Sequence, residues 1–112
     1  MKYKFKGLRY VTRGIVSTID CNVINQIWSV LDDFVTSNII EPDYLQIFKL
    51  ITKKVAGEYI LVIKHEQEVP EYLNNEAYTS KILQSINEKV YIISDYDENG
   101  KEYSTMLLAS EY

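Results

Sequence analysis

The residue types that most often build active centres are nearly absent, since the 112-residue sequence has one histidine, His65, and one cysteine, Cys21. A zinc site needs three or four ligands, mostly His and Cys, and this chain offers one of each. Serine-hydrolase chemistry would have to use His65 as its base. A lone cysteine forms no internal disulfide, which favours a reducing compartment. We therefore expect no metal site and no cofactor.

Glycines and long apolar runs are also scarce. The four glycines form no GxxxxGK[ST], GxGxxG or GxSxG motif, so the phosphate-cradling loops and the nucleophile elbow are missing. No apolar run approaches the roughly 18 residues of a membrane span, and no apolar segment typical of a signal peptide follows the N-terminal lysines. The sequence therefore predicts a cytoplasmic protein that does not bind a membrane.

The composition itself is that of an ordinary globular domain, with 46% hydrophobic and 25% charged residues. Such a chain can bury one core without a metal or a disulfide, and disorder is not expected at this hydrophobicity. We expect residues 1–112 to form a single domain.

Charge is spread unevenly along the chain. Residues 1–13 carry five basic and no acidic side chains, whereas residues 14–112 carry seven basic and sixteen acidic ones. An acidic body repels phosphate, so nucleic acid is not the expected partner. The basic start either contacts an acidic partner or RNA locally or forms an edge strand, with Tyr3 and Phe5 inward and the lysines outward. We favour the edge strand.

Residues 17–38 have the clearest periodicity, because apolar residues recur there at steps of three and four and predict one long amphipathic helix. Ser17 or Asp20 can cap its start. Before it, residues 8–16 are β-branched and aromatic and predict a strand, in which Gly14 indicates a bulge or a close backbone contact. The apolar stripe of the helix consists of Val23, Ile24, Ile27, Trp28, Leu31, Phe34 and Val35.

Two hairpins are predicted in the remaining sequence. Residues 43–54 and 58–68 read as strands that turn at Gly57, and residues 90–112 turn at Asn99-Gly100. Residues 78–87 predict a short second helix. The fold class is therefore α+β, with one long amphipathic helix packed on a mainly antiparallel sheet of five or six strands.

The stretch KHEQEVPEY, residues 64–72, holds the histidine among three glutamates. One hypothesis is a general base tuned by Glu66 or Glu68. The other is a structural histidine at the rim of the sheet, whose ring nitrogens bond to the backbone or to a turn residue. We favour the structural role, because residues one and three positions further along a strand point away from His65.

Cys21 is a second candidate for catalysis. It lies near the first turn of the long helix, where the helix dipole lowers a thiol pKa. Nothing in the sequence brings it to His65, and the neighbouring Asp20 opposes the thiolate. We interpret Cys21 as a small packing residue.

Residues 95–106 match the first half of a calcium-binding loop. The twelfth position, which should be a bidentate glutamate, is Met106, and the flanking residues predict strands rather than helices. We interpret Asp95 and Asp97 as part of a solvated hairpin tip.

Ten tyrosines are the most unusual feature of the composition. Tyrosine combines apolar area with a polar tip, so it suits half-buried sheet positions as well as binding surfaces. Tyr91, Tyr96 and Tyr103 fall on the last hairpin, and Tyr59 and Tyr72 flank the histidine stretch. A tyrosine-rich sheet face and a protein-binding face both remain open as explanations.

Four blocks of the sequence, RYVTRGI (9–15), DYLQIF (43–48), HEQEVPEY (65–72) and STMLLASEY (104–112), resemble a family of small bacterial proteins known as domain of unknown function 960. The resemblance implies an origin in Gram-positive bacteria and their mobile elements, and it implies no catalytic residue. The N-terminal segment, residues 1–7, and the DYDENGKEY hairpin are each longer here than the corresponding segments of the family pattern. The resemblance implies that eight polar or aromatic residues belong to shared motifs, which can serve only to brace the fold. These residues are Arg13, Gln46, His65, Gln67, Glu68, Tyr72, Thr105 and Glu111.

We therefore expect a non-enzymatic interaction domain that binds another protein, with self-association left open. A specific form is an acidic inhibitor of a host-defence protein that binds nucleic acid. The alternative is a small enzyme or ligand-binding protein with a polar pocket around His65, Glu68 and Arg13. The candidate binding residues are Arg13, His65, Gln67, Glu68, Tyr72, Asp95, Asp97 and Tyr103.

Overall fold

The computed structural model of the chain describes residues 3–78 and 85–112. A single turn of 3-10 helix, Ala109–Glu111, follows the last strand. In these two ranges no helix is long and apolar enough to cross a membrane. The elements are, in order, β1 (Leu8–Val11), α1 (Arg13–Thr18), α2 (Cys21–Ser37), β2 (Leu45–Val55), β3 (Glu58–Gln67), β4 (Tyr72–Tyr78), β5 (Asn87–Tyr96) and β6 (Glu102–Leu108).

The six strands form one sheet in the order β1-β6-β5-β2-β3-β4. All neighbouring pairs are antiparallel except β1 and β6, which run parallel. The predicted α+β class and the mainly antiparallel sheet are confirmed. Because side chains alternate along a strand, the sheet has two distinct faces. We call the face that buries Phe48, Ile63 and Ile92 the covered face, and the opposite one the open face.

Helix α2 packs its apolar stripe on the covered face, as the periodicity predicts. Buried stripe residues such as Ile27 and Leu31 join Phe48 and Ile63 in one core cluster. Burying each such side chain contributes roughly 1.5–3 kcal/mol, so this contact dominates the stability of the fold. Asp20 is the N-cap residue, although its side chain makes no capping hydrogen bond.

Both predicted hairpins are present. β2 and β3 turn at Ala56 and Gly57, whose φ angles of 52° and 82° suit a tight two-residue turn. β5 and β6 turn through residues 97–101, and Gly100 takes a φ of 76° there. The hairpins place β2 and β5 at the centre of the sheet.

The strand predicted over residues 8–16 is only partly right, because it ends at Val11 and α1 follows. Thr12 caps α1 by accepting the N–H of Ile15 at 3.3 Å. The Thr12 hydroxyl also donates to the Glu111 carboxylate at 2.7 Å. The β-branched side chains of α1 favour a strand, and these hydrogen bonds hold the residues in a helical turn instead. The close contact predicted at Gly14 is present, and it is made by the Glu111 carboxyl group, which would lie 2.6 Å from a Cβ at this position.

Residues 3–6 do not form the predicted edge strand. Phe5 does point inward, with 2% of its surface exposed, while Lys4 and Lys6 are exposed. The backbone N–H groups of Lys4 and Phe5 donate to the Glu102 carboxylate at 2.9 and 3.0 Å rather than to a strand. The sixth strand is instead β4, which the sequence pattern did not indicate.

The short helix predicted over residues 78–87 falls mainly on residues 79–84, which lie outside the described residues. At the end of that range Asn87 begins β5. Just before it, the N–H of Ile86 donates to the Thr52 hydroxyl at 2.9 Å. Ile86 also packs against the core cluster, so the chain enters β5 from the covered face.

The contact between Gly14 and Glu111 supports a first prediction. A Cβ at position 14 would lie 2.6 Å from the Glu111 carboxyl group, which is closer than real atoms approach. Gly14→Ala should therefore lower the melting temperature by displacing this carboxylate. In a Glu111→Ala background the same change should raise the free energy of unfolding by about 0.5–1 kcal/mol, because alanine favours helix over glycine. Thermal unfolding of the four chains measures this, and equal effects in both backgrounds would contradict it.

Candidate functional site

The histidine stretch forms a buried cluster on the covered face. Only 1% of His65 is exposed, so it is a core residue and the predicted position at the rim is wrong. Its ring stacks on Phe48 with centroids 4.5 Å apart and an interplanar angle of 8°. Phe34 from α2 and Tyr72 from β4 contact the ring edge-on, at 4.8 and 5.4 Å between centroids. Aromatic rings thus enclose the imidazole.

Two glutamines fix the hydrogen bonds of this cluster. The Gln67 amide nitrogen donates to the carbonyl oxygens of Glu41 and Pro70 at 2.9 and 2.8 Å. The Gln67 amide oxygen then accepts the N–H of Asp43 at 2.9 Å and the Gln46 amide at 2.7 Å. Gln67 therefore ties the chain before β2 to the turn after β3.

The orientation of Gln46 determines the tautomer of the histidine. Because the Gln46 nitrogen donates to the Asp43 carbonyl and to Gln67, its oxygen faces His65. That oxygen lies 2.7 Å from His65 Nε2, so Nε2 carries the proton and donates. Nδ1 is then a bare acceptor, and it has no hydrogen-bond partner among the described residues. The partner of the ring is a glutamine side chain, not the predicted backbone or turn group.

This environment makes His65 a poor acid or base. Burial lowers its pKa to about 4, against a smaller opposing effect of the Glu66 charge. The imidazole is therefore neutral at physiological pH. General acid–base chemistry needs contact with a substrate, and here Phe34, Phe48 and Tyr72 close the ring off. The cluster acts as a structural brace.

The structure does not bring the other members of the predicted pocket together. Arg13 begins α1 next to β1, and β1 lies four strands from β3, roughly 19 Å from His65. Glu68 is exposed in the turn after β3. Cys21 is exposed at the start of α2, so its interpretation as a packing residue is wrong, and the thiol does not meet the buried His65. Of the stretch 64–72, only His65, Gln67 and Tyr72 share one environment.

The acids of the second hairpin shape its turn. Asp97 Oδ1 accepts the backbone N–H groups of Asn99 and Lys101, each at 2.9 Å. Asp95 Oδ1 accepts the N–H of Tyr96 at 2.8 Å. Met106, at the position of the missing calcium ligand, is fully buried in β6. Within residues 3–78 and 85–112, no three His, Cys, Asp or Glu side chains are grouped to hold a metal ion.

A groove of about 560 Å³ lies beside this hairpin, at the β1 edge of the open face. Tyr10 and Tyr103 form one wall, with ring centroids 6.0 Å apart in an edge-on arrangement. Asp97 and Lys101 line the side toward the turn, and the exposed Leu8 lines the rim. We call this the tyrosine groove. It contains two predicted binding residues, Asp97 and Tyr103, and Asp95 is paired with Tyr103 across the strands.

Glu102 supports the groove from below. Its carboxylate accepts the backbone N–H groups of Lys4 and Phe5 and the hydroxyl of Ser94, the last at 2.5 Å. These bonds hold the N-terminal segment against β5 and β6. Gly7 and Leu8, which line the groove, therefore follow a segment that is bonded to β6.

A row of three lysines crosses the open face. Lys49 of β2 is directly opposite Lys64 of β3 and Lys89 of β5. Among residues 3–78 and 85–112, Lys49 is the only one of the three with a salt bridge, to Glu66 at 3.1 Å. Like charges directly opposite one another on a sheet repel, so the three ammonium groups of this row destabilise one another. We call it the lysine row. Sequence reasoning missed it, because only the strand register aligns the three residues.

The fold and its two faces define a class, an α+β domain in which both α-helices of the described residues pack on the same face of the sheet. Residues 8–111 match the family described as Staphylococcal protein of unknown function (DUF960), and the chain belongs to that family. The resemblance found in the sequence is therefore confirmed.

The fold is similar to a crystal structure described as a protein of unknown function from Enterococcus faecalis. The TM-score is 0.74 at 20% sequence identity, over 100% of this chain and 98% of that chain. At such identity the likeness shows the fold alone. The comparison with curated proteins gives no match.

Proposed function

We propose that the protein is a non-enzymatic interaction domain that binds another protein on the open face, with the tyrosine groove as an anchor. The observation that carries this proposal is the one-sided fold. Ile15 of α1 and the α2 stripe pack into the same core cluster on the covered face, so neither helix occupies the open one. Half-exposed tyrosines on a rigid sheet supply contact area at low cost in side-chain entropy.

The exposed apolar groups of the open face support this function. Leu8 is 68% exposed and Tyr10 49% exposed at the groove, and Leu73 on β4 is 55% exposed. The face combines such groups with the lysine row. Apolar area bordered by charge is the usual composition of a protein-binding surface.

The more specific form, an acidic inhibitor that imitates nucleic acid, has less support. Such a mimic needs carboxylates that are free to face a basic groove. Asp32 is bound by Arg9 and Glu66 by Lys49. Backbone N–H groups hold Glu102 and Glu111. We therefore base the proposal on the open face rather than on total acidity.

Photo-crosslinking tests this function. A benzophenone amino acid at position 10 or 103, in the groove, should form adducts of discrete mass with a protein in a native lysate. The matched control is position 16 on α1, because Val16 is 63% exposed on the other side of the molecule. Adducts from position 16 alone, or from none of the three positions, would refute the proposal.

The alternative, a small enzyme or ligand-binding protein centred on His65, is tested by His65→Gln in the same assay. The aromatic enclosure of the ring predicts that this change leaves the adducts at positions 10 and 103 unaltered. Loss of the adducts in a chain that still folds would favour the alternative.

A further inference from the structure

The open face carries a positively charged group and a negatively charged group on the two sides of a line that crosses the central strands. The line passes through the paired residues Gln46 of β2 and Ile92 of β5. Lys49 and Lys89 lie three residues from it on one side. On the other side, Asp95 of β5 lies three residues from it, roughly 10 Å away at 3.3 Å per residue, and Asp43 lies in the segment that leads into β2. Glu68 follows the end of β3 toward the same acidic end, since Glu66 is directly opposite Ile47.

Between the two charge groups lies an apolar strip. Leu45 is paired with Ile93 and Ile47 with Tyr91 on the open-face side of β2 and β5; Leu45, Tyr91 and Ile93 are half-buried, whereas only 7% of Ile47 is exposed. Tyr112 reaches the same strip, with its ring 5.4 Å from that of Tyr91. The face therefore has a mostly apolar centre, in which Glu66 of β3 is opposite Ile47, with positive charge at one end and negative charge at the other.

We propose that the open face binds a second copy of the same chain. A two-fold axis along the Gln46–Ile92 line turns each lysine toward a carboxylate of the partner. Lys89 then meets the partner's Asp95, Lys49 meets the partner's Asp43, and the two apolar strips pack on each other. Two-fold interfaces require this kind of self-complementary pattern, and stacked sheets tolerate the angle that sheet twist imposes.

The expected dimer is weak. Six strands about 4.8 Å apart and seven residues long present roughly 550 Å² per copy, or about 1,100 Å² for two copies. That is near the lower limit of specific interfaces, so we expect dissociation on dilution through the micromolar range. The lysine row explains why two copies would associate, since the partner's carboxylates relieve the repulsion within it. This inference rests on the proposed use of the open face.

Reciprocal charge reversal tests the arrangement. Lys89→Glu and Asp95→Lys should each weaken self-association at least tenfold in analytical ultracentrifugation. An equimolar mixture of the two variants should recover self-association. In the mixed dimer, the glutamate introduced at position 89 of one chain faces the lysine introduced at position 95 of the other. At the other end of the same dimer, the native Asp95 and Lys89 face each other. The double variant should recover self-association as well. High salt should weaken the wild-type dimer.

The control is Lys54→Glu, the same charge change on an exposed residue of β2 whose side chain lies over Tyr59 on the other side of the sheet. It should leave self-association unchanged. A wild-type chain that is monomeric at all concentrations would overturn the inference, and so would a dimer that resists both reversals. A monomer that still forms adducts at positions 10 and 103 would leave the proposed function intact, which separates the two failures.

Discussion

Gln67→Ala is expected to lower the free energy of unfolding by about 4 kcal/mol, because it removes the acceptor of one buried and one partly buried donor. These donors are the backbone N–H of Asp43 and the side-chain amide of Gln46, now held at 2.9 and 2.7 Å. The carbonyl oxygens of Glu41 and Pro70 lose their hydrogen bonds from Gln67 as well. Only 2% of Gln67 is exposed, so in the native fold its amide is shielded from bulk water. Urea unfolding at neutral pH measures the change.

Glu68→Ala is the matched control for this prediction. Glu68 follows Gln67 in sequence but is exposed, so its replacement should change stability by less than about 0.5 kcal/mol. A double-mutant cycle with Gln46→Ala adds a second readout, because the two glutamines share one network and their costs should not add. Similar costs for Gln67→Ala and Glu68→Ala would show that the brace does not stabilise the fold.

The parts of the fold that sequence reasoning found are those determined by nearby residues. The apolar stripe of α2 is a local sequence pattern that predicts both the helix and the side that it buries, because an apolar face that wide must be buried. Gly57 and Gly100 mark turns whose positive φ angles favour glycine, so both hairpins could be located. Local signals of this kind hold in most contexts.

The parts that it missed depend on distant residues. The helical turn of α1 is held by Glu111, and the N-terminal segment by Glu102, each almost a whole chain length away. β4 reads LNNEA at its centre, without alternation, and it is a strand because it pairs with the edge of β3. No property of the short segments themselves encodes these contacts.

The candidate site shows the same division. The stretch KHEQEVPEY identified His65, Gln67 and Tyr72, which the structure brings to one cluster. Gln46 completes that cluster from β2, and only strand pairing reveals it as the partner of His65. The family resemblance had placed Gln46, His65, Gln67 and Glu111 in shared motifs, and the structure shows each of them in a polar brace.

Acid is expected to destabilise the protein through His65. The folded-state pKa of about 4 lies below the ordinary value of 6.5, so the unfolded chain binds more protons between these pH values. The contribution of neutral His65 is therefore complete above pH 6.5 and is lost as the pH falls toward 4. Over that interval the loss amounts to about 3 kcal/mol. Urea unfolding at a series of pH values measures it.

His65→Gln separates this effect from the titration of the carboxylates, which both chains share. The variant keeps an amide that can donate to Gln46 but removes the titrating ring, so its stability should fall by about 3 kcal/mol less between pH 6.5 and pH 4. The chain has no other histidine, so its imidazole resonances are assigned at once in a proton NMR titration. The midpoint should lie near pH 4 while the protein remains folded. A midpoint near 6.5 would mean that the ring is solvated, and the closed aromatic cluster around it would then be wrong.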